Sequence, residues 1–323
     1  MEKTDKVSCI IPAIVRDYEW SHDVLLRYIH NLPVKRVVFV GPKELEALVK
    51  DERSVNVDLD YVNEEDILDR KLVLAAYEKR KQELAEKDPS LTGSSFGWYY
   101  QQFIKMAYHR LSDEPYYLCW DMDTIPLRKI ELFNESGQPW LDIKKEFHES
   151  YFRTIQNLFG FGKQIEKSFI SEHMLFNTKY MGEMINEIMR DDETGGDFYE
   201  KIFSLMSGMK LGFSEFETYG CWIANRYPES YRLRYWKSFR NINFLINMHD
   251  LTEDDVRYLA NDYDAASFEK YQETEPALTE LFRNRRYREK LSAERFYTEL
   301  LEMGCFGDYR DGMIWKGDES FPV

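Results

Sequence analysis

Tyr116-Tyr117-Leu118-Cys119-Trp120-Asp121-Met122-Asp123-Thr124-Ile125-Pro126-Leu127 is the stretch that orders the rest of the chain. Its first five residues are aromatic or apolar without interruption, as a central strand of a sheet requires. The run then stops in Asp121-Met122-Asp123. Residues two apart on a strand point to the same side. The spacing therefore predicts two carboxylates converging in the crevice above the sheet, where open α/β sheets bind ligands. Paired hard oxygen donors suit Mg2+ or Mn2+, which in turn bridge a diphosphate. The bland reading is a strand-end turn that merely prefers Asp. Asp58-Leu59-Asp60 and Asp262-Tyr263-Asp264 repeat the pattern, but the first alternates with apolar residues on a half-exposed strand and the second lies in a polar segment. Only the pair at 121 and 123 follows a fully apolar strand.

Working outward, Val7 to Val15 reads as a buried strand and Trp20 to Asn31 as a helix. Lys35 to Pro42 reads as a second strand stopped by Gly-Pro, Lys43 to Lys50 as a helix, and Val55 to Val62 as a half-exposed strand. This order favours an α/β sheet with parallel strands. Glu64 to Lys87 reads as an exposed helix, Asp88 to Gly97 as a loop, and Trp98 to Leu111 as a helix. Phe169 to Phe176 is a strand candidate, Tyr180 to Arg190 and Ser214 to Arg226 are helices, and from Glu253 the chain reads as mainly helical.

The 323 residues are 43% hydrophobic and 15% aromatic, enough for a large core. With 43 Lys+Arg against 58 Asp+Glu the net charge is −15, which speaks against general nucleic-acid binding. Cys9, Cys119, Cys221 and Cys305 are dispersed without a CxxC pair, as in buried thiols of a reducing compartment. No apolar run approaches the ~20 residues that span a bilayer. The apolar N-terminal run is short, contains Pro12 and lacks a small-x-small cleavage site, so it reads as a strand rather than a signal peptide. A cytoplasmic protein is expected. There is no Gly-rich phosphate loop after the first strand and no GxGxxG motif, which argues against a dinucleotide enzyme or a P-loop NTPase.

Four blocks in order carry a resemblance: Gly97-Trp98-Tyr99-Tyr100-Gln101-Gln102-Phe103-Ile104-Lys105, then Leu118-Cys119-Trp120-Asp121-Met122-Asp123-Thr124, then Ser171-Glu172-His173-Met174-Leu175-Phe176-Asn177, then Phe213-Ser214-Glu215-Phe216-Glu217-Thr218-Tyr219-Gly220. Together they resemble GT-A-fold, DxD-containing bacterial glycosyltransferases of the capsule and polysaccharide-biosynthesis type. The resemblance runs from the first strand to about residue 250. It implies a GT-A-type, Rossmann-like α/β fold: a mixed, mainly parallel sheet flanked by helices over 1–250, with a mainly helical C-terminal extension over 251–323. It further implies a nucleotide-sugar donor (a UDP-sugar first), a glycan or lipid-linked acceptor, and Mn2+ or Mg2+ held by Asp123, with Asp121 binding through water or touching the ribose. Pro12, Ala13 and Asp17, in the loop after the first strand, are implied donor contacts.

The remaining candidates each carry a bland alternative. Lys105 is a candidate cation on the donor diphosphate, or an ordinary exposed helix lysine. Gln102 is a donor contact or helix surface. An inverting transfer needs a general base near the acceptor hydroxyl, usually a carboxylate. Glu215 and Glu217 open a helix whose N-terminus favours an ionised carboxylate. Ser214-x-x-Glu217 also matches a capping box. The two side chains diverge on a helix, so at most one is the base, with Glu215 preferred. Glu172 and His173 are candidate acceptor or sugar contacts, against the alternative of a satisfied, partly buried histidine. His249 is a candidate third metal ligand, against a lone histidine in a polar loop. Phe282 to Leu291 is a basic island; it reads first as a solvated helix paired with nearby Glu residues, and second as contact with an anionic membrane surface.

The expected activity is metal-dependent transfer of a sugar from a nucleoside-diphosphate donor to a glycan or glycolipid hydroxyl in surface polysaccharide synthesis, inverting rather than retaining. The rival readings are a sugar-phosphate nucleotidyltransferase, which would carry a Gly-rich first loop, and a non-catalytic glycan-binding subunit with the same fold.

Overall fold

The computed structural model describes residues 6–53, 57–190, 196–240, 242–270 and 272–305. The start of the expected strand at Val55 and the end of the expected helical region, 306–323, lie outside the described residues. The strands are β1 (Val7–Pro12), β2 (Val34–Gly41), β3 (Asp58–Asn63), β4 (Tyr116–Trp120), β5 (Thr124–Pro126), β6 (Trp140–Ile143), β7 (His173–Asn177), β8 (Arg232–Tyr235), β9 (Ser238–Phe239) and β10 (Ala265–Ser267). The helices are α1 (Val15–Tyr28), α2 (Leu45–Asp51), α3 (Arg70–Lys87), α4 (Phe96–Ala107), α5 (Glu149–Phe159), α6 (Thr178–Ile188), α7 (Phe198–Leu205) and α8 (Glu215–Arg226). Five further helices follow: Ile242–Leu245, Glu253–Leu259, Pro276–Phe282, Arg285–Arg288 and Ala293–Glu302.

The central sheet has the order β3-β2-β1-β4-β7. Its first four strands run parallel, and β7 pairs antiparallel with β4. The architecture is the expected mixed α/β layer structure with a mainly parallel sheet. Its two cores follow from the alternation of side chains along each strand. Cys9 and Ile11 of β1, Val37 and Phe39 of β2, and Leu118 and Trp120 of β4 pack into one cluster with α1 and the C-terminal helices. Ile10, Val38, Val40, Tyr117 and Cys119 face the other, with α3 to α8. A strand buried on both faces has no polar position to spare, which is why β1, β2 and β4 read as nearly unbroken apolar runs.

One boundary differs from expectation. The first strand stops at Pro12, whose pairing with Val40 is closed by the Ala13 N–H, and the helix starts at Val15 with Asp17 in its first turn. Residues beyond 250 also do more than extend the domain. β10 pairs antiparallel with β5, and the three-stranded sheet β5-β10-β9 carries this later segment back to the chain just after Asp123. The small sheet β6-β8 is parallel. No helix among the described residues is long and apolar enough to cross a membrane.

The β1–α1 loop packs tightly on β2. The Ala13 N–H donates to the Val40 carbonyl at 2.9 Å. A Cβ on Gly41 would stand 2.1 Å from the Ala13 carbonyl oxygen and 2.9 Å from Leu45. Gly41→Ala is therefore expected to cost about 1–3 kcal/mol of stability by forced backbone movement. Gly97→Ala on α4, where nothing stands within 4 Å of the added carbon, should cost nothing. Urea unfolding midpoints of the two variants check this.

Candidate active site

A cleft of ≈ 510 Å3 opens at the carboxyl ends of β1 and β4. β4 ends at Trp120, and the chain turns: the Thr124 N–H donates to the Asp121 carbonyl at 3.2 Å and the Trp120 indole N–H to the Thr124 carbonyl at 2.7 Å. Asp121 and Asp123 thus sit on a turn rather than on a straight strand, yet both line the cleft. The Asp121 N–H donates to the Glu172 carbonyl at 2.9 Å, extending the β4–β7 ladder. The Phe268 N–H donates to the Asp123 carbonyl at 2.9 Å, and Thr124 and Ser267 hydroxyls meet at 2.8 Å. The acidic turn is held from both sides.

Lys105 of α4 is the cation at its centre. Its ammonium donates to Asp121 Oδ1 at 2.8 Å and to Glu215 Oε1 at 2.9 Å, and stands 4.4 Å from the centre of the Phe216 ring. Lys105 is buried, not the exposed helix lysine of the bland reading. Burial alone would lower its pKa; Asp121 and Glu215 more than offset that and hold it above its ordinary value. Burial pushes the Glu215 carboxyl above the ordinary carboxylate range, with Lys105 pulling it back. Gln102 lines the cleft, but its amide is engaged: Nε2 donates to the Trp98 carbonyl at 3.0 Å and Oε1 accepts from the Glu215 N–H at 3.1 Å. It seats the first residue of α8 rather than reaching into open space.

Glu217 does not share this site. The Ser214 hydroxyl caps α8 by accepting the Glu217 N–H at 3.3 Å, but the carboxylate does not return to complete the box. It accepts from the Ser168 hydroxyl at 2.5 Å and the Phe169 N–H at 3.0 Å, away from the cleft lining. Burial pushes its pKa up to about 7, against the hydrogen bonds from Ser168 and Phe169 and the charge of Lys163. Of the two carboxylates at the start of α8, the cleft receives Glu215 alone.

A second charged cluster floors the cleft. Glu172 accepts from Lys144 Nζ at 2.9 Å, the Ser238 hydroxyl at 2.8 Å and the Trp236 indole N–H at 2.8 Å. Against the upward push of burial, Lys144 and Arg240 pull the Glu172 carboxyl down to about 2. Arg240 bridges Glu146 at 2.9 Å and Glu269 at 3.2 Å, and lies 3.6 Å from Glu172. Arg240, Glu146 and Glu269 carried no sequence signal, being isolated charged residues on irregular segments. Burial, then the Glu269 and Asp121 carboxylates, push the Asp123 carboxyl well above its ordinary value, with Arg240 opposing.

His173 is not brought to the cleft. Its Nε2 meets Asp142 Oδ2 at 2.9 Å, and the ring lies between Trp120 and Trp236 at 5.1 and 4.3 Å. Asp142 also holds Arg234 through two bonds of 2.7 Å, across the β6–β8 register. His173 is thus the buried histidine of the bland reading, held through Nε2 alone, while its Nδ1 is buried without a hydrogen-bond partner. His249 lies outside the cleft lining, 4.0 Å from Asp23 and edge-on to Trp20. The structure does not gather it with Asp121 and Asp123, and among the described residues no group of three His, Cys, Asp or Glu side chains is placed to hold a metal ion. Pro12 and Asp17 line the cleft beside Trp20; Ala13 does not. Asp17 binds Lys270 at 2.6 Å, and Lys270 covers the Trp20 ring at 4.6 Å. In the basic island, Arg283 and Arg288 pair with Asp255 and Arg285 pairs with Glu289.

Two measurements test these assignments. Lys105→Met should destabilise by about 3 kcal/mol, because it leaves a buried carboxylate uncompensated. Adding Glu215→Gln should restore part of that loss, the mark of coupling in a double-mutant cycle. For Glu217 the folded protein holds, between its ordinary 4.5 and about 7, a proton that the unfolded chain releases. Its contribution to stability is full below pH 4.5 and lost as the pH rises to 7. The stability difference between wild type and Glu217→Gln should therefore shift by about 2–3 kcal/mol across that window, in favour of the variant at pH 7.

No curated protein matches the chain. Among solved structures it is similar to mouse xyloside xylosyltransferase 1, at 13% identity over 84% of this chain and 100% of that one, with a TM-score of 0.40. It is similar to the galactosyltransferase LgtC at 14% identity, over 88% of this chain and 100% of that one, with a TM-score of 0.40. The glycosyltransferase GlyE of Streptococcus pneumoniae TIGR4 matches at 13% identity over 93% of this chain and 64% of that one, with a TM-score of 0.38. Likeness at this level specifies no activity. A family model matches residues 4–279, which takes in every residue of the cleft and runs past residue 250. The chain belongs to that family, described as a family of unknown function (DUF6492).

Proposed function

We propose that the chain is a metal-dependent glycosyltransferase that moves a sugar from a nucleoside-diphosphate donor to a glycan or glycolipid hydroxyl. The observation that carries this reading is the meeting, in one cleft at the carboxyl ends of parallel strands, of the Asp121/Asp123 pair with two cations, the buried Lys105 and the partly buried Arg240. A diphosphate needs positive charge on its leaving oxygens, and a cleft with fixed cations beside hard oxygen donors supplies the setting. Asp17, Pro12 and Trp20 form the end of the cleft nearest the β1–α1 loop, suited to a nucleoside.

The donor set fits Mn2+ or Mg2+. Asp123 and Asp121 are hard oxygen ligands crowded by Glu269, and a cation would relieve that repulsion. Two carboxylates are sufficient, because Mg2+ keeps waters and takes substrate phosphates as further ligands. When bound, the ion would neutralise charge developing on the leaving diphosphate. Lys105 orients Asp121 from behind. Glu215 is the candidate base for an acceptor hydroxyl, since it is the carboxylate of the α8 start that faces the cleft. Surface polysaccharide synthesis, a UDP-sugar donor, inversion and a cytoplasmic site belong to the same proposal.

The test is thermal stabilisation by UDP, GDP, CMP and dTDP, each with and without Mn2+, for wild type and Asp123→Ala. At 100 times its dissociation constant a ligand stabilises the fold by about 2.7 kcal/mol. One nucleotide should stabilise in a metal-dependent way, and Asp123→Ala should lose it. No shift with any nucleotide would overturn the role of Asp123 and favour a glycan-binding subunit.

A further inference from the structure

A second cavity lies at the opposite end of the sheet, where β1 and β2 begin, and its volume is also ≈ 510 Å3. Leu26, Ile29, Leu32, Val34 and Ile130 make its apolar floor. Lys6, Arg27, His30 and Lys129 stand around it, all exposed, and no carboxylate is among its lining residues. In a chain with 58 acidic residues against 43 basic ones this is a local reversal of charge. The basic residues Arg27 and His30 fall at the end of α1, where they complement the helix dipole. Lys6 and Lys129 have no such reason to be there. They come from segments before β1 and after β5, and neither forms an ion pair among the described residues. Lys105, Lys144 and Lys270, which line or floor the cleft, are each committed to a carboxylate.

The cavity is braced. The Ile130 N–H donates to the Asn31 carbonyl at 2.9 Å, the Asn31 side-chain amide donates to the Pro126 carbonyl at 2.9 Å, and the Val7 N–H donates to the Pro33 carbonyl at 3.2 Å. A preformed concave site of this volume, apolar below and charged at the rim, is the shape of a small-ligand site. A membrane surface would call for a convex or flat face instead.

We infer that this cavity binds a small, water-soluble amphipathic anion: a phosphate monoester held by Lys6, Arg27 and Lys129, with an apolar body of a few carbons against the floor. The inference is independent of the reading of the cleft. The net charge of −15 opposes nonspecific adsorption of anions, so saturable anion binding by this protein would be diagnostic of a local site.

Isothermal titration calorimetry of the full chain with n-hexyl phosphate, inorganic phosphate and hexanol tests it. Hexyl phosphate should bind with saturation, at least tenfold tighter than either half alone. Lys6→Glu/Lys129→Glu should weaken it at least tenfold, and the single Lys129→Ala by a smaller factor. The cooperative thermal transition should persist in both variants and show that they fold. No saturable binding of hexyl phosphate overturns the site, and so does binding that survives the charge reversals. Equal affinity for inorganic phosphate overturns the role of the apolar floor. Co-sedimentation with phosphatidylglycerol vesicles, abolished by the charge reversals and without hexyl phosphate binding, overturns the small-molecule assignment in favour of a lipid surface.

Discussion

One buried ammonium group ties the site together. Lys105 reaches from α4 to the turn after β4 and to the first residue of α8, three elements brought together only by folding. Removing a cation from water costs several kcal/mol, and the cost is met only if opposite charges and hydrogen bonds stand in fixed positions around it. Asp121 and Glu215 fill two of its three donor directions, and the Phe216 ring closes a further side. Neither carboxylate can move without exposing this charge to an uncompensated environment. The Gln102 amide reinforces the arrangement one helical turn away by receiving the Glu215 N–H. The cleft wall is thus preorganised by charge pairing more than by packing.

The same logic continues on the floor. Arg240, between β9 and the helix Ile242–Leu245, holds Glu146 and Glu269 and approaches Glu172, while Lys144 and Trp236 take the remaining Glu172 lone pairs. From Lys144 to Glu269 these residues span 125 positions of the chain. The segment beyond 250 completes the cleft through β10, whose pairing with β5 places Ser267, Glu269 and Lys270 around the acidic turn. Without that strand Asp123 would lose its backbone contact to Phe268 and the neighbouring Glu269 carboxylate.

The central sheet and the acidic turn were legible because they are local: an apolar run of strand length and an abrupt change to Asp need no knowledge of the rest of the chain. The placement of Lys105 was legible only through the block around it. The separate fates of Glu215 and Glu217 were half legible. Two residues apart on a helix they must diverge, but which one meets a cation depends on where α4 packs, and that is tertiary. His173 was read as an acceptor or sugar contact and His249 as a metal ligand from their type, but a histidine is defined by its partner. Asp142, which fixes His173, is thirty-one positions away. Arg240 and Glu269 were invisible, because single charges on irregular segments look alike whether they face water or a cleft.

The charge inventory of the cleft bears on what it can receive. Seven carboxylates (Asp17, Asp121, Asp123, Glu146, Glu172, Glu215, Glu269) line it with four cations (Arg16, Lys105, Arg240, Lys270), a formal surplus of three negative charges. A free nucleoside diphosphate would enter this field against repulsion, and Lys105 and Arg240 are already paired with their own carboxylates. A divalent ion at Asp123 cuts that surplus from three to one. On the proposed reading, metal and donor should bind in a coupled way, each raising the affinity of the other by the same factor. The internal ion pairs then have a distinct role. They consume the excess carboxylates, so that Asp123, the acid with no close cation of its own, is the one left for an incoming ion.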